Sequence, residues 1–166
     1  MISIRWLNYF GEIMKNKSCL LRSLLIILFL TFTACSTLRD DNIELVKNYF
    51  EALNTKNEAL CDRIVTADFK KSSNGKTEEE TGPAVLIKAI KIHSTNNSEY
   101  KYTIEDIFAS KERVGVRWRW NSINIKTGEP KPINIAAMSV FEIKGDKIFR
   151  LWQAFDLEDF NRQLGN

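Results

Sequence analysis

The sequence predicts an α+β domain, a curved antiparallel sheet packed on three N-terminal helices, preceded by an export segment. Three observations predict it. Apolar residues recur at three- and four-residue spacing in the first half of the chain after residue 41. From Tyr100 onward the period changes to two, and the long segments that follow are joined by turn chemistry. Before both lies an apolar run too short to cross a bilayer.

The apolar run comprises Leu20, Leu21 and Leu24 to Leu30, with Arg22 interrupting it, and ends in Thr31-Phe32-Thr33-Ala34. A transmembrane helix needs about 20 apolar residues. This run is shorter, has basic residues before it and small residues after it, and so has the layout of a signal peptide. Thr33-Ala34-Cys35 resembles a lipobox, in which a small residue precedes a cysteine whose thiol is acylated. Residues 1–34 are therefore expected to be a lipoprotein signal peptide, Cys35 the lipidation site, and residues 35–40 a short tether. Met14 is followed by Lys15, Asn16 and Lys17, so translation starting at Met14 is an alternative to Met1. The implied location is a bacterial cell envelope, with the domain attached to a membrane through the lipid on Cys35. Ser36 lacks the carboxylate of an inner-membrane retention signal, which favours the outer membrane if the source is Gram-negative.

Charge supports the same division. Residues 1–34 hold Arg5, Lys15, Lys17 and Arg22 against Glu12, four of the 24 basic and one of the 21 acidic residues. From Cys35 onward 20 of each remain, and a neutral, mixed surface offers no electrostatic footprint for nucleic acid. With Cys19 removed and Cys35 lipidated, Cys61 stays alone, at helical spacing from Leu60 and Ile64, and is read as a small buried hydrophobe.

Asp40 and Asp41 are candidate caps for a first helix with Ile43, Val46, Tyr49, Phe50 and Leu53 on one face. Asn57 caps a second, short helix, with Leu60, Cys61, Ile64 and Val65 inward, and Ala67-Asp68-Phe69 leads into a short strand. Lys70 to Thr81, with its acidic run Glu78-Glu79-Glu80, reads as a solvated loop. Gly82-Pro83 opens a third helix with Val85, Leu86, Ala89, Ile90 and His93 on its apolar face, and Ser94 to Ser98 reads as a polar turn. Four strands follow. Tyr100, Tyr102, Ile104 and Asp106 alternate on the first. Val114, Val116, Trp118 and Trp120 alternate with Gly115, Arg117 and Arg119 on the second. Ile133 to Ile143 forms the third, Lys144-Gly145-Asp146-Lys147 a tight hairpin, and Ile148 to Asp156 the last. Leu157 to Asn166 is a closing tail. A long antiparallel sheet that curls around a helix leaves a cavity at its open end.

Period two places Ile148, Trp152, Ala154 and Asp156 on one face of the last strand. A carboxylate held there beside Trp152 in an apolar cone loses hydration, and its pKa rises, as a proton shuttle next to a carbonyl requires. The alternative is that Asp156 caps the tail. His93, the single histidine, either points into the cavity beside Asp156 or closes its helix, where its charge suits the dipole. Trp152, Trp118, Trp120, Tyr49 and Met138 are candidate ligand-binding residues lining the cavity. One histidine and one free thiol make too few ligands for zinc, and no phosphate loop or serine nucleophile elbow is present, so neither metal nor cofactor is expected.

Tyr49-Phe50-Glu51-Ala52-Leu53-Asn54, Ala67-Asp68-Phe69 and Thr81-Gly82-Pro83 resemble the opening of SnoaL-like domains, of the nuclear-transport-factor-2-like superfamily. So do Ile104 to Phe108, Arg113 to Trp120, Lys147-Ile148, Trp152 to Asp156 and Gln163-Leu164-Gly165 further on, in the same order. The resemblance spans Asp41 to Gly165 and implies a cone-shaped fold over residues 41–166. Its members include polyketide cyclases that close a ring by an aldol reaction and related cones that isomerise ketosteroids. Asp156 matches the acid/base aspartate of the cyclases. The histidine or asparagine that members often carry after the first strand's Asp-Phe is replaced here by Lys70-Lys71-Ser72-Ser73. Two functions follow as expectations. One is a membrane-anchored cone that binds a small apolar ligand or a partner. The other is a cyclase or isomerase of a carbonyl compound using Asp156. Pairing of two copies through the open sheet face, beside Arg117 and Arg119, is also expected.

Overall fold

The computed structural model describes residues 39–126 and 128–165, and residues 39–166 form one compact unit. The expected signal peptide, Cys35 and most of the tether lie outside the described residues. Arg39 and Asp40, expected in the tether, are already helical.

Helix α1 covers 39–55, so Asp40 and Asp41 lie within it rather than at its cap. Val46, Tyr49, Phe50 and Leu53 form its buried stripe, as three- and four-residue spacing requires. A 3-10 turn at Glu58–Leu60 leads into the single turn α2 (Cys61–Ile64), and the Asn57 side chain makes no cap there. Cys61 is fully buried, and burial pushes its thiol pKa up to about 11.

Strand β1 (Val65–Ser73) is longer than expected and turns at Asn74-Gly75 into β2 (Lys76–Thr77). Both turn residues have positive φ, 49° and 80°, the geometry that favours Asn-Gly in a two-residue hairpin. The segment read as a loop from Lys70 is therefore largely a hairpin. Gly82 at φ 73° packs so close to β1 that a Cβ would sit 2.5 Å from the Ala67 carbonyl oxygen, a contact only glycine permits. Pro83 then opens α3 (Pro83–Asn96), which runs on through the expected polar turn until Asn97 caps it by donating its side-chain amide to the His93 carbonyl at 2.9 Å.

The four long strands are β3 (Asn97–Ser110), β4 (Arg113–Asn124), β5 (Lys131–Lys144) and β6 (Lys147–Phe155). They pair antiparallel in chain order. The sheet as a whole is mixed, in the order β2-β1-β6-β5-β4-β3, because β1 lies parallel to β6. Two expectations are corrected here. The sheet is not wholly antiparallel, since a strand that precedes α3 returns to the far edge of the meander. The helices are not all N-terminal either, since the tail folds as α4 (Leu157–Leu164). A left-handed Gly165 (φ 81°) ends α4, its N–H bonded to Arg162 O.

Phe50 is the hub of the core, with ring centroids 5.7 to 6.2 Å from Tyr49, Trp118, Phe141 and Tyr102. Every described core side chain lies between Leu45 and Leu164.

Candidate functional site

Between the concave face of the sheet and the helices lies a cavity of about 250 Å³. Trp118 and Trp120 of β4 face it, as do Ile135, Ser139 and Phe141 of β5. Tyr49, Phe50 and Leu53 come from α1, Ala89 and His93 from α3, and Phe160 from α4. Strands β6 and β1 supply a more polar wall through Gln153, Lys71 and Ser73.

Helix α4 reaches the cavity because its end is tied to β5. Gln163 accepts from Asn134 N at 2.7 Å and donates to Asn134 O at 3.0 Å, and Lys131 Nζ donates to Leu164 O at 2.6 Å. These bonds hold the Phe160 ring 5.9 Å from Trp120 and 5.8 Å from Phe155. Asn54 ties the end of α1 to β3 in the same way. It donates to Tyr102 O at 2.9 Å and accepts from Tyr102 N at 2.7 Å, which fixes the strand carrying the Tyr102 ring.

Tyr102 and His93 form the central polar pair, with Oη and Nε2 2.9 Å apart. Burial, reinforced by the charge of Lys71, lowers the His93 pKa to about 4, so the imidazole is neutral at pH 7. His93 lies in the last turn of α3 and on the cavity wall, which Asp156 does not line. It carries no charge there to complement the helix dipole. Burial also keeps the Tyr102 phenol protonated far above its usual range. The Tyr49 phenol is raised by burial first and by the charge of Glu78 second. Trp118 Nε1 donates to Ser139 Oγ at 2.8 Å, while Trp120 Nε1 is buried with no partner among the described residues.

Lys71 projects from β1 and pairs with Glu78 at 3.3 Å. Glu78 is held beside it because its N–H donates to the Lys71 carbonyl at 2.9 Å. The parallel register sets Lys71 next to Leu151 and Ser73 next to Gln153.

Three expected site residues lie elsewhere. Glu142 pairs with Arg150 but Ile143 pairs with Ile148, so Phe149 is an extra residue in β6. This bulge reverses the alternation beyond it. Leu151, Gln153 and Phe155 line the cavity, while Trp152 stands on the outer face at 38% exposure. Asp156 is the N-cap of α4, exposed, its carboxylate accepting from Asp159 N at 2.9 Å. It does not share the cavity with His93. Met138 is 59% exposed on the convex face, because the inward residues of β5 are the odd-numbered ones from Ile133 to Phe141. Trp118, Trp120 and Tyr49 do line the cavity.

Lys71, Ser73, Gln153, Ser139 and Phe160 went unrecognised in the sequence. The Asn74-Gly75 dipeptide is the signal that would have extended β1 and put Lys71 and Ser73 on one face.

The capping geometry gives a direct expectation. Asp156→Ala should lower stability by about 1 kcal/mol, read as a shift in the urea unfolding midpoint, and Asp156→Asn should stay close to the unaltered protein. An asparagine variant as unstable as alanine would mean that the charge, not the cap, matters.

Among the described residues no group of three or more His, Cys, Asp or Glu side chains could hold a metal ion. No curated protein matches the chain. Many solved structures share its fold. TsrD from Streptomyces laurentii superposes with a TM-score of 0.67 at 17% identity, over 76% of this chain and 96% of that one. An LEH-like epoxide hydrolase of M. tuberculosis gives 0.63 at 17% identity, over 76% and 90% of the two chains. A SnoaL-like polyketide cyclase of Agrobacterium tumefaciens strain C58 gives 0.59 at 17% identity, over 73% and 95%. At such identities the likeness is one of fold. The sequence itself matches the model of the SnoaL-like polyketide cyclases over residues 43–164, nearly the whole of the described cone, and the chain belongs to that family.

Proposed function

We propose that this chain is a lipid-anchored binding cone, which holds a small, largely apolar molecule close to a membrane surface. The cavity wall carries the reading: it has aromatic rings on the α1, β3, β4, β5 and α4 sides and no carboxylate among its lining residues. Burying an apolar ligand there gains roughly 25 cal/mol per Å² removed from water. A direct test is titration of residues 39–166 with N-phenyl-1-naphthylamine, a neutral apolar fluorophore. Saturable binding that quenches Trp118 and Trp120 and is lost in Trp118→Arg is expected. Absence of saturable binding would overturn the reading.

A second reading has one supporting observation beyond the family itself. The cavity holds a neutral imidazole hydrogen-bonded to a phenol, a pair able to take up and return a proton beside a carbonyl. A cyclase or isomerase would then work through His93, since the Asp156 carboxylate is engaged at the start of α4. Turnover of a carbonyl substrate that His93→Gln abolishes, with probe binding retained, would favour the enzyme.

Anchoring rests on Thr33-Ala34-Cys35. Cys35→Ala should leave the precursor unprocessed and without diacylglycerol, and an intact mass showing normal processing would overturn it. The outer membrane is the location favoured in a Gram-negative source. The convex face suits a second copy of the chain. Met138 beside Ala154 and Val140 beside Trp152 make an exposed apolar row on it. Arg117 and Arg119 flank that row and share the single carboxylate of Glu105, which offsets one of their two charges. Residues 39–166 should sediment as a dimer at micromolar concentration and as a monomer in Val140→Glu.

A further inference from the structure

Among the described residues Lys71 is the single cationic side chain on the cavity wall, and the hydroxyl and amide groups on that wall can also donate to an acceptor in the lumen. Its side chain is 12% exposed, so the ammonium sits largely out of bulk water. It has three N–H donors and one partner, Glu78, at a long 3.3 Å. Two strand positions along on the same face, Ser73 and Gln153 stand side by side in the parallel register. Among the described residues neither side chain has a hydrogen-bond partner, and neither does the Tyr49 hydroxyl. The remaining ring nitrogen contact, His93 to Tyr102, is satisfied internally. The wall therefore offers an ammonium, two hydroxyls and an amide to the lumen, against an otherwise apolar lining.

We propose that the cavity selects an apolar molecule bearing a carboxylate, which Lys71 receives together with Ser73 and Gln153. This rests on the binding-cone reading and specifies its ligand. One cation matches one negative charge. A phosphate dianion would find no second cation, since the imidazole beside Lys71 is neutral and no arginine lines the cavity. Glu78 keeps the ammonium compensated while the cavity is empty, and an entering carboxylate takes its place. The Glu78 side chain is 30% exposed against 12% for Lys71, so it is the member of the pair with the readier access to water. A charge-assisted hydrogen bond of this kind is about twice as strong as a neutral one, so it separates ligands that differ only in the charged group.

The experiment compares 2-naphthoate with 2-naphthamide, alike in shape, as displacers of N-phenyl-1-naphthylamine from residues 39–166. The acid should bind at least about tenfold more tightly than the amide, equivalent to about 1.4 kcal/mol. Lys71→Met should remove that preference, so that acid and amide displace the probe equally well. Glu78→Gln should tighten naphthoate several-fold, since it removes the internal competitor and keeps Lys71. The Lys71→Met, Glu78→Gln double variant controls for a stranded carboxylate. Equal binding of acid and amide, a preference that survives Lys71→Met, or weaker naphthoate binding in Glu78→Gln would each overturn the proposal. Failure of the neutral probe to bind the unaltered domain would instead remove the binding cone itself.

Discussion

Replacing Phe141 by alanine should destabilise the domain by about 3 kcal/mol, the low end of the range for a buried phenylalanine. Phe141 is fully buried and packs edge-on against Tyr49 at 5.2 Å and Phe50 at 5.9 Å. Its position on β5 is held on both sides, since Phe141 pairs with Val114 of β4 and Leu151 of β6. The backbone therefore cannot close over the space left behind. The loss stays at the low end because the void opens into the existing cavity, where it is not sealed. The same substitution should enlarge that cavity and admit bulkier probes. Urea unfolding gives the first effect as a midpoint shift at constant slope, and a loss below about 1 kcal/mol would show that the cavity wall is not part of the core.

Acid should weaken the fold through His93 before it reaches most carboxylates. The folded imidazole has its pKa lowered to about 4, by burial and then by Lys71, against about 6.5 when unfolded. A group lowered in this way contributes stability that is fully present above the unfolded value and is lost as pH falls toward the folded one. Between pH 7 and pH 5 the unfolded chain takes up the proton and the folded one resists it, which amounts to about 2 kcal/mol of lost stability. His93→Gln retains a partner for Tyr102 and should show a flat profile across that interval. Glu105, held below the usual carboxylate range by its bond to Arg119, adds its loss only at lower pH. Unfolding free energies measured at half-unit steps decide the matter, and a flat profile for the unaltered protein would contradict a neutral, buried imidazole.

Much of the fold was legible because α1, β4 and β5 each keep one period. The stripe from Val46 to Leu53 makes α1, Pro83 opens α3, and the alternation from Val114 to Trp120 sends both tryptophans into the cavity. The last strand was misread from the same rule. Ile148 does face the core, yet the extra Phe149 reverses everything after it, so Trp152 and Asp156 were assigned to a face that Leu151, Gln153 and Phe155 occupy. Nothing local in Lys147-Ile148-Phe149-Arg150 announces that bulge. It is visible in the pairing with β5, where the Lys144 ammonium and the Arg150 guanidinium lie 5.3 and 4.9 Å from the centre of the Phe149 ring. Met138 is a different kind of miss, since parity with Ile133, Ile135 and Phe141 already places it outside. The site's polar wall was hidden by composition. Lys70 to Ser73 reads as loop until Asn74-Gly75 is recognised as a hairpin turn and β1 is paired with a strand near the other end of the chain. No local pattern specifies that parallel pairing.

The pairing of β1 with β6 also dictates when the domain can be finished. The two strands are about 80 residues apart in the chain, so joining them closes a long loop, whose entropic cost comes before any contact repays it. Strands β3 to β6 are neighbours in sequence and can zip as successive hairpins. Strand β1 is made well before β6 and cannot be matched until β6 has emerged. Throughout that interval its free edge and the apolar side of α1 have no permanent neighbour, and they are the surfaces on which a holding chaperone would have to act. The wall that carries Lys71 and Gln153 is thus completed late, with only Phe160 of α4 to follow it in the chain.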